Sequence, residues 1–100
     1  TAPIMTITAR WHGETLARSA DTLVVEGNHY FPAGDVMRGV LVPSETTSHC
    51  GWKGTANYYS INAGDAINTD AAFYYPEPLE AAAAIRDRIA FWKGVEVMDL

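Results

Sequence analysis

The side chains that could do chemistry are concentrated between Thr46 and Ile61. This stretch contains the single cysteine of the chain, Cys50, one of its three histidines, His49, and one of its three tryptophans, Trp52. It also contains Lys53 and two of the five tyrosines. A thiol, an imidazole, an ammonium group and aromatic rings this close together are typical of two kinds of site, a small-molecule pocket or a reactive thiol.

Cys50 is the candidate nucleophile or redox centre. The thiolate is the reactive form of cysteine, and a neighbouring positive group raises the fraction of thiolate. His49 and Lys53 are the two candidates for that group. Lys53 is favoured, because adjacent side chains on an extended segment point to opposite faces and His49 would then point away. The alternative is that Cys50 is a small buried apolar side chain, as free cysteines usually are.

Lys53 is the second candidate for catalysis and the first for binding. It stands between Trp52 and Gly54, where its ammonium group could pair with a ligand carboxylate or phosphate at the mouth of a pocket. Trp52, Tyr58 and Tyr75 could line one apolar pocket with polar tips, the usual composition of a small-molecule site. The alternatives are an ordinary surface lysine and aromatic side chains of the core.

Arg38 and His49 are the remaining candidate binding residues. Arg38 lies in an apolar segment that predicts a strand, and a buried arginine needs a partner. The sequence favours an ion pair with Asp35 or Glu45, and the alternative is a contact with a ligand. His49 enters the binding hypothesis because it begins the loop that ends at Lys53.

Metal and serine chemistry are not supported by the pattern. The chain's histidines come from separate segments without the local spacing of zinc ligands, and no clustered acidic pair would hold Mg²⁺. No serine lies in a Gly-x-Ser-x-Gly elbow. The sequence therefore predicts no metal site and no cofactor.

Charge and composition restrict the partners. The chain has seven basic and twelve acidic residues, a net charge of −5, and its basic residues are dispersed, whereas nucleic-acid binding needs clustered lysine and arginine. No apolar run approaches the ~20 residues that span a bilayer, and no signal peptide is visible. We therefore expect neither nucleic acid nor a membrane as a partner. A single cysteine cannot form an internal disulfide, which fits a cytoplasmic location.

The elements that must position these residues are predicted to be mainly β, in a single domain over residues 1–100. Alternation and turn signals predict strands at 5–11, 15–19, 22–26, 29–31, 36–42, 55–61, 66–69, 71–75, 90–92 and 95–97. Residues 44–54 read as a polar loop, and the alanine-rich residues 79–88 predict one short C-terminal helix. Since no crossover helices separate the early strands, we expect a small antiparallel sandwich or a partly closed barrel.

The central stretch also carries a family motif. Its residues resemble the signature of a bacterial family known as domain of unknown function 427, and the matching positions are Thr47-x-x-Cys50-x-Trp52-Lys53-Gly54-x-Ala56-x-Tyr58-Tyr59-Ser60. The resemblance extends over nearly the full chain and includes Tyr30-x-Pro32 and Tyr75-Pro76-x-Pro78. Gly51 departs from the family pattern, which often has proline there.

This resemblance implies a small β domain with a tent-like arrangement of sheets, similar in outline to methionine-R-sulfoxide reductases. Those proteins bind zinc through pairs of CxxC motifs, which this sequence lacks. The family is sometimes labelled a nucleotidyltransferase domain. That label fits the sequence poorly, because such transferases need acidic metal ligands.

Three functional hypotheses follow. The first is a small soluble domain that binds a small polar or anionic molecule in a pocket around the His49–Lys53 loop, with Arg38, Tyr58 and Tyr75 contributing. The second is a thiol-dependent enzyme that uses Cys50, activated by Lys53 or His49. The third is a structural or protein-interaction module, whose mark would be a homo-oligomer.

Overall fold

The described part of the chain contains nine strands and two short 3-10 helices, joined by turns. The computed structural model describes residues 5–99. Its strands are β1 (Ile7–Trp11), β2 (Glu14–Ser19), β3 (Leu23–Val25), β4 (Asn28–Tyr30), β5 (Leu41–Cys50), β6 (Gly54–Ala63), β7 (Ala66–Tyr74), β8 (Ala90–Phe91) and β9 (Glu96–Asp99). The 3-10 helices are Ala33–Asp35 and Glu80–Ile85. No helix within these residues is long and apolar enough to cross a membrane.

The strands form three antiparallel sheets, which confirms the mainly β prediction. One sheet has the order β2-β1-β9, a second is the hairpin β3-β4, and the third has the order β5-β6-β7-β8. The sheets remain separate and do not close into a barrel. The β3–β4 hairpin turns through two residues with positive φ, Glu26 (φ 53°) and Gly27 (φ 79°), between the paired Val25 and Asn28. This is the geometry of a type I′ turn, whose twist matches that of the flanking strands.

The core consists of two clusters of buried side chains. The larger cluster contains Phe31 and Phe91, whose rings meet edge to face at 5.5 Å between centroids. The smaller cluster contains Tyr30, Tyr75 and Ile85, with several alanines. Two backbone hydrogen bonds of 2.8 Å join Phe31 to Ile89. They attach the end of the β3–β4 hairpin to the residue before β8. The candidate site lies on the smaller cluster.

The prediction of a strand at 36–42 followed by a loop at 44–54 was correct only at residues 41–42, which are in β5, and at residues 51–53, which form a turn. Val36 forms only an isolated bridge with Ala17, residues 38–39 form a turn, and β5 runs from Leu41 through Cys50. Its polar residues are explained by its position, because it is an edge strand exposed along most of its length. Pro43 is tolerated on an edge strand beside a bulge, and the pairing of β5 with β6 shifts register between Pro43 and Thr47.

The predicted C-terminal helix over 79–88 is reduced to the 3-10 helix Glu80–Ile85. Alanine favours an α-helix, but a short helix needs a buried apolar face for stability. Here only Ala82 and Ile85 of the six residues are buried, and Ala82 itself has non-helical angles (φ −116°, ψ 18°). The predicted break at Asp70 is a local bulge within β7, where Asp70 has φ 56°.

Candidate functional site

Lys53 is the charged centre of the site. It follows β5 in the turn that leads to β6, and its side chain is only 8% exposed. A buried lysine requires a partner. Its ammonium group donates to the carboxylate of Glu26, which lies on the β3–β4 turn and is 52% exposed. The pair therefore joins a buried cation to an anion that remains open to solvent.

Two aromatic rings flank the ammonium group. The Nζ atom of Lys53 lies 5.7 Å from the ring centroid of Trp52 and 5.3 Å from that of Tyr75, both within the range of cation–π attraction. The indole Nε1–H of Trp52 also donates to Glu26 Oε2, at 3.4 Å. Trp52 is 41% exposed and Tyr75 is buried. Tyr75 therefore forms a buried side of the site and Trp52 an exposed side, and the carboxylate of Glu26 is also exposed to solvent.

The backbone of Lys53 is fixed as firmly as its side chain. Its carbonyl oxygen accepts a hydrogen bond of 2.8 Å from the amide of Leu79. The next residue, Gly54, has φ 109° and packs directly against the Glu77–Leu79 segment. Since only glycine adopts this conformation readily, Gly54 allows the chain to turn Lys53 inward.

The electrostatics keep both members of the pair charged at neutral pH. Burial alone lowers the pKa of Lys53, but the hydrogen bond to Glu26 and the nearby Tyr30 and Tyr75 hydroxyls raise it above its ordinary value overall. The hydrogen bond from Lys53 is in turn the main cause that lowers the pKa of Glu26. Each charge therefore stabilises the other.

Acid should weaken this pair, and Glu26→Gln measures its contribution. At pH 7 we expect the variant to be less stable than the wild type, because buried Lys53 loses its charged acceptor. The lowered pKa means that the contribution of Glu26 is present above the unfolded-state value of about 4.3 and is lost as the pH falls through the folded-state value. The contribution of Lys53 is complete below about pH 10.4 and stays constant in this range.

The difference in unfolding free energy between wild type and Glu26→Gln should therefore shrink from pH 7 to pH 3 in urea titrations. Glu45→Gln is the matched control, since Glu45 is exposed and has no ion pair within residues 5–99. A Glu26→Gln effect that does not change with pH would contradict the assignment.

Tyr30 brings an unsatisfied polar atom into the site. The residue is fully buried, and although the Lys53 ammonium group is close to its hydroxyl, no group of the described chain accepts a hydrogen bond from it. Burial raises the pKa of Tyr30, and the nearby Lys53 ammonium partly offsets that rise. The hydroxyl therefore stays protonated at neutral pH and has a hydrogen to donate.

Removing that hydroxyl should stabilise the unliganded protein. A buried polar group without a partner costs about 1–3 kcal/mol, so we expect Tyr30→Phe to raise the unfolding free energy by about 1 kcal/mol. Tyr58→Phe is the control with the opposite sign, because the Tyr58 hydroxyl shares a 2.8 Å hydrogen bond with Ser48. A Tyr30→Phe variant that loses as much stability as Tyr58→Phe in urea unfolding would show that the hydroxyl has a partner.

Several predicted site residues lie near Lys53. Cys50 and Tyr58 pack on the smaller core cluster together with Tyr75. Burial is the main cause that raises the pKa of Tyr75, and the nearby Lys53 ammonium group partly offsets that rise. Cys50 is partly buried. The structure thus places Trp52 and Tyr75 against the Lys53 ammonium group, and Cys50 and Tyr58 on the core cluster that contains Tyr75.

His49 lies on the opposite face of the sheet. His49 pairs with Thr55, and the next residue, Cys50, pairs with Gly54. Because successive side chains of a strand point to opposite faces, His49 and Cys50 point in opposite directions. His49 is exposed and lines a groove of about 340 Å³ together with Thr55, Asn57 and Glu77. It is therefore separate from the Lys53 cluster.

Arg38 is also elsewhere. The residue is exposed, because it lies in the turn at residues 38–39 and not in the predicted strand. It lines a different groove with Arg18, and neither Asp35 nor Glu45 forms the expected ion pair with it. The prediction of that pair assumed a buried arginine in a strand, and it was wrong because Arg38 is exposed and burial does not force it to pair with Asp35 or Glu45.

Glu26 and Tyr30 are the site residues that sequence reasoning missed. Glu26 is 27 positions from Lys53 in sequence, and the sequence pattern placed it at the end of the strand predicted at 22–26. The chain turns at Glu26 and Gly27 instead, and no local signal indicated that this turn would meet Lys53. Across residues 5–99, no three His, Cys, Asp or Glu side chains are grouped to hold a metal ion.

The chain matches a known protein family. The family described as "Domain of unknown function (DUF427)" matches residues 4–100. No curated protein matches the chain.

Proposed function

The chain belongs to the DUF427 family, and because that description names no activity, we propose from the site itself that the domain binds a small anionic molecule at Lys53. This proposal rests on the ion pair between the buried ammonium group of Lys53 and the exposed carboxylate of Glu26 on the β3–β4 turn. A buried cation must keep an anion beside it. A ligand carboxylate or phosphate can take the place of Glu26 without leaving Lys53 unpaired, while Glu26 moves into water.

The surroundings of Lys53 favour a ligand with an apolar body attached to its anionic group. The Trp52 indole and the Tyr75 ring flank the ammonium group, and aromatic faces bind apolar or planar groups. The buried Tyr30 hydroxyl lacks an acceptor among residues 5–99. A second oxygen of a carboxylate or phosphate would supply one.

Benzoate and phenyl phosphate are suitable probes, since each combines an anionic group with a planar apolar ring. We expect both to raise the melting temperature in a concentration-dependent manner, because a ligand that binds only the folded state stabilises it. Benzamide, which has the ring of benzoate without its charge, is the matched ligand control. Equal stabilisation by benzamide, or none by either anion, would refute anion binding at this site.

A thiol-dependent enzyme is the second candidate, and the position of Cys50 supports it. Cys50 is partly exposed and packs on the smaller core cluster, which also contains Tyr75. The ammonium group of Lys53 is engaged by Glu26, however, which weakens its expected role as the activator of the thiol. Cys50→Ser separates the two candidates: a binding domain keeps its response to benzoate, whereas a thiol enzyme loses its activity.

A further inference from the structure

A second groove lies where β2 meets the first 3-10 helix. It has a volume of about 590 Å³, within the range of small-molecule sites. An isolated β-bridge between Ala17 and Val36 and a 2.7 Å hydrogen bond from the Met37 amide to the Leu16 carbonyl oxygen attach its two sides to each other. The groove is therefore built on paired backbone and not on a free loop.

Two guanidinium groups line this groove without a counter-ion. Neither Arg18 nor Arg38 forms an ion pair or a side-chain hydrogen bond with any residue from 5 to 99. Asp35 also lines the groove, but it does not approach either guanidinium within ion-pairing distance. Both guanidinium groups are therefore free to bind an anion that enters the groove.

We propose that this groove is a second anion site, which binds the carboxylate or phosphate groups of a small multivalent anion through Arg18 and Arg38. The planar fork of each guanidinium matches both groups and can bind either with two parallel hydrogen bonds. Two arginines on one groove favour an anion with more than one negative charge. Exposed Met37, 44% accessible, adds an apolar contact at the rim.

This site is independent of the one at Lys53, because different cations and different strands form it. A titration followed by ¹H–¹⁵N NMR at constant ionic strength separates the two sites by residue. Citrate and inorganic phosphate are the probes, and they distinguish carboxylate from phosphate recognition. We expect shifts of the amide signals of residues 33–38 with one or both probes, and these shifts should persist in Lys53→Met.

Arg18→Gln and Arg38→Gln should each weaken this binding about tenfold, as expected for the loss of one charge-assisted contact. Both residues are exposed, so the variants should fold normally. Arg10→Gln is the matched control, since Arg10 is an exposed arginine that lines another groove. Equal weakening by Arg10→Gln, shifts scattered over all basic residues, or no shift with either probe would overturn the proposal.

Discussion

Gly54→Ala is expected to lower the free energy of unfolding by about 2–3 kcal/mol, because it combines backbone strain with a steric conflict. Gly54 has φ 109°, a conformation that residues with a side chain rarely adopt. An added methyl group would lie 3.3 Å from the Glu77 carbonyl oxygen and 3.4 Å from the Leu79 amide nitrogen. Both neighbours are backbone atoms, so neither can move away alone.

The consequence for the site follows from the hydrogen bond that joins Lys53 to Leu79. If the Glu77–Leu79 segment moves, the backbone of Lys53 loses its anchor and its side chain loses its fixed position. We therefore expect Gly54→Ala to reduce the response to benzoate as well as stability. A loss of 2 kcal/mol corresponds to a fall of about 8–16 °C in melting temperature for a domain of this size.

Gly51→Ala is the matched control for this prediction. Gly51 lies in the same turn, and a methyl group added there would have no neighbour within 4 Å. We expect its effect on unfolding to stay within about 0.5 kcal/mol. Equal effects of the two substitutions in urea unfolding would show that the close approach at Gly54 does not hold the turn in place.

Lys53→Met is expected to abolish the stabilisation of the protein by benzoate. At a benzoate concentration ten times its Kd, the wild type should gain about 1.4 kcal/mol. Methionine keeps the length and apolar stem of lysine but lacks the charge that binds the carboxylate. The unliganded variant should fold normally, because it removes the buried member of the ion pair and so leaves no unpaired charge inside the protein. Glu26 is exposed and can be hydrated once its partner is gone.

Lys93→Met is the matched control for this substitution. Lys93 is the only other lysine of the chain, and its ammonium group also lies over a tryptophan ring, 5.2 Å from the centroid of Trp92. It differs from Lys53 in being exposed. Retained benzoate binding in Lys53→Met, or its loss in Lys93→Met, would contradict the assignment of the anion site.

The parts of the fold that local patterns determine were predicted from the sequence. The β1–β2 and β3–β4 hairpins depend on turn residues and short apolar strands, which can be read over a few positions. Most of β5 was missed because its polar residues, Thr46–His49, are not typical of a strand. They form one because β5 lies at the edge of its sheet, where side chains remain exposed to solvent. The helix was overestimated at residues 79–88, because alanine content does not reveal whether a buried face exists to support it.

The candidate site also has a part that could be predicted from the sequence and a part that could not. Lys53 and Trp52 are adjacent in sequence, so the contact between the ammonium group and the indole ring could be predicted from the sequence. Glu26 and Tyr30 reach Lys53 only through the packing of the β3–β4 hairpin against the sheet. That packing depends on register and sheet arrangement, which one sequence does not encode locally. His49 differs, because alternation along an extended segment already predicted that it points away from Cys50, and both residues lie in β5.

The most direct test of the anion site is the NMR signal of the Trp52 indole N–H during a benzoate titration. This group donates to Glu26, so displacement of Glu26 by the ligand must change its environment. We predict a saturable shift in the wild type, tighter binding in Glu26→Gln because the competing carboxylate is gone, and no shift in Lys53→Met. The indole signals of Trp11 and Trp92 should not move. A Trp52 signal that does not respond to benzoate, or that responds equally in Lys53→Met, would contradict the account.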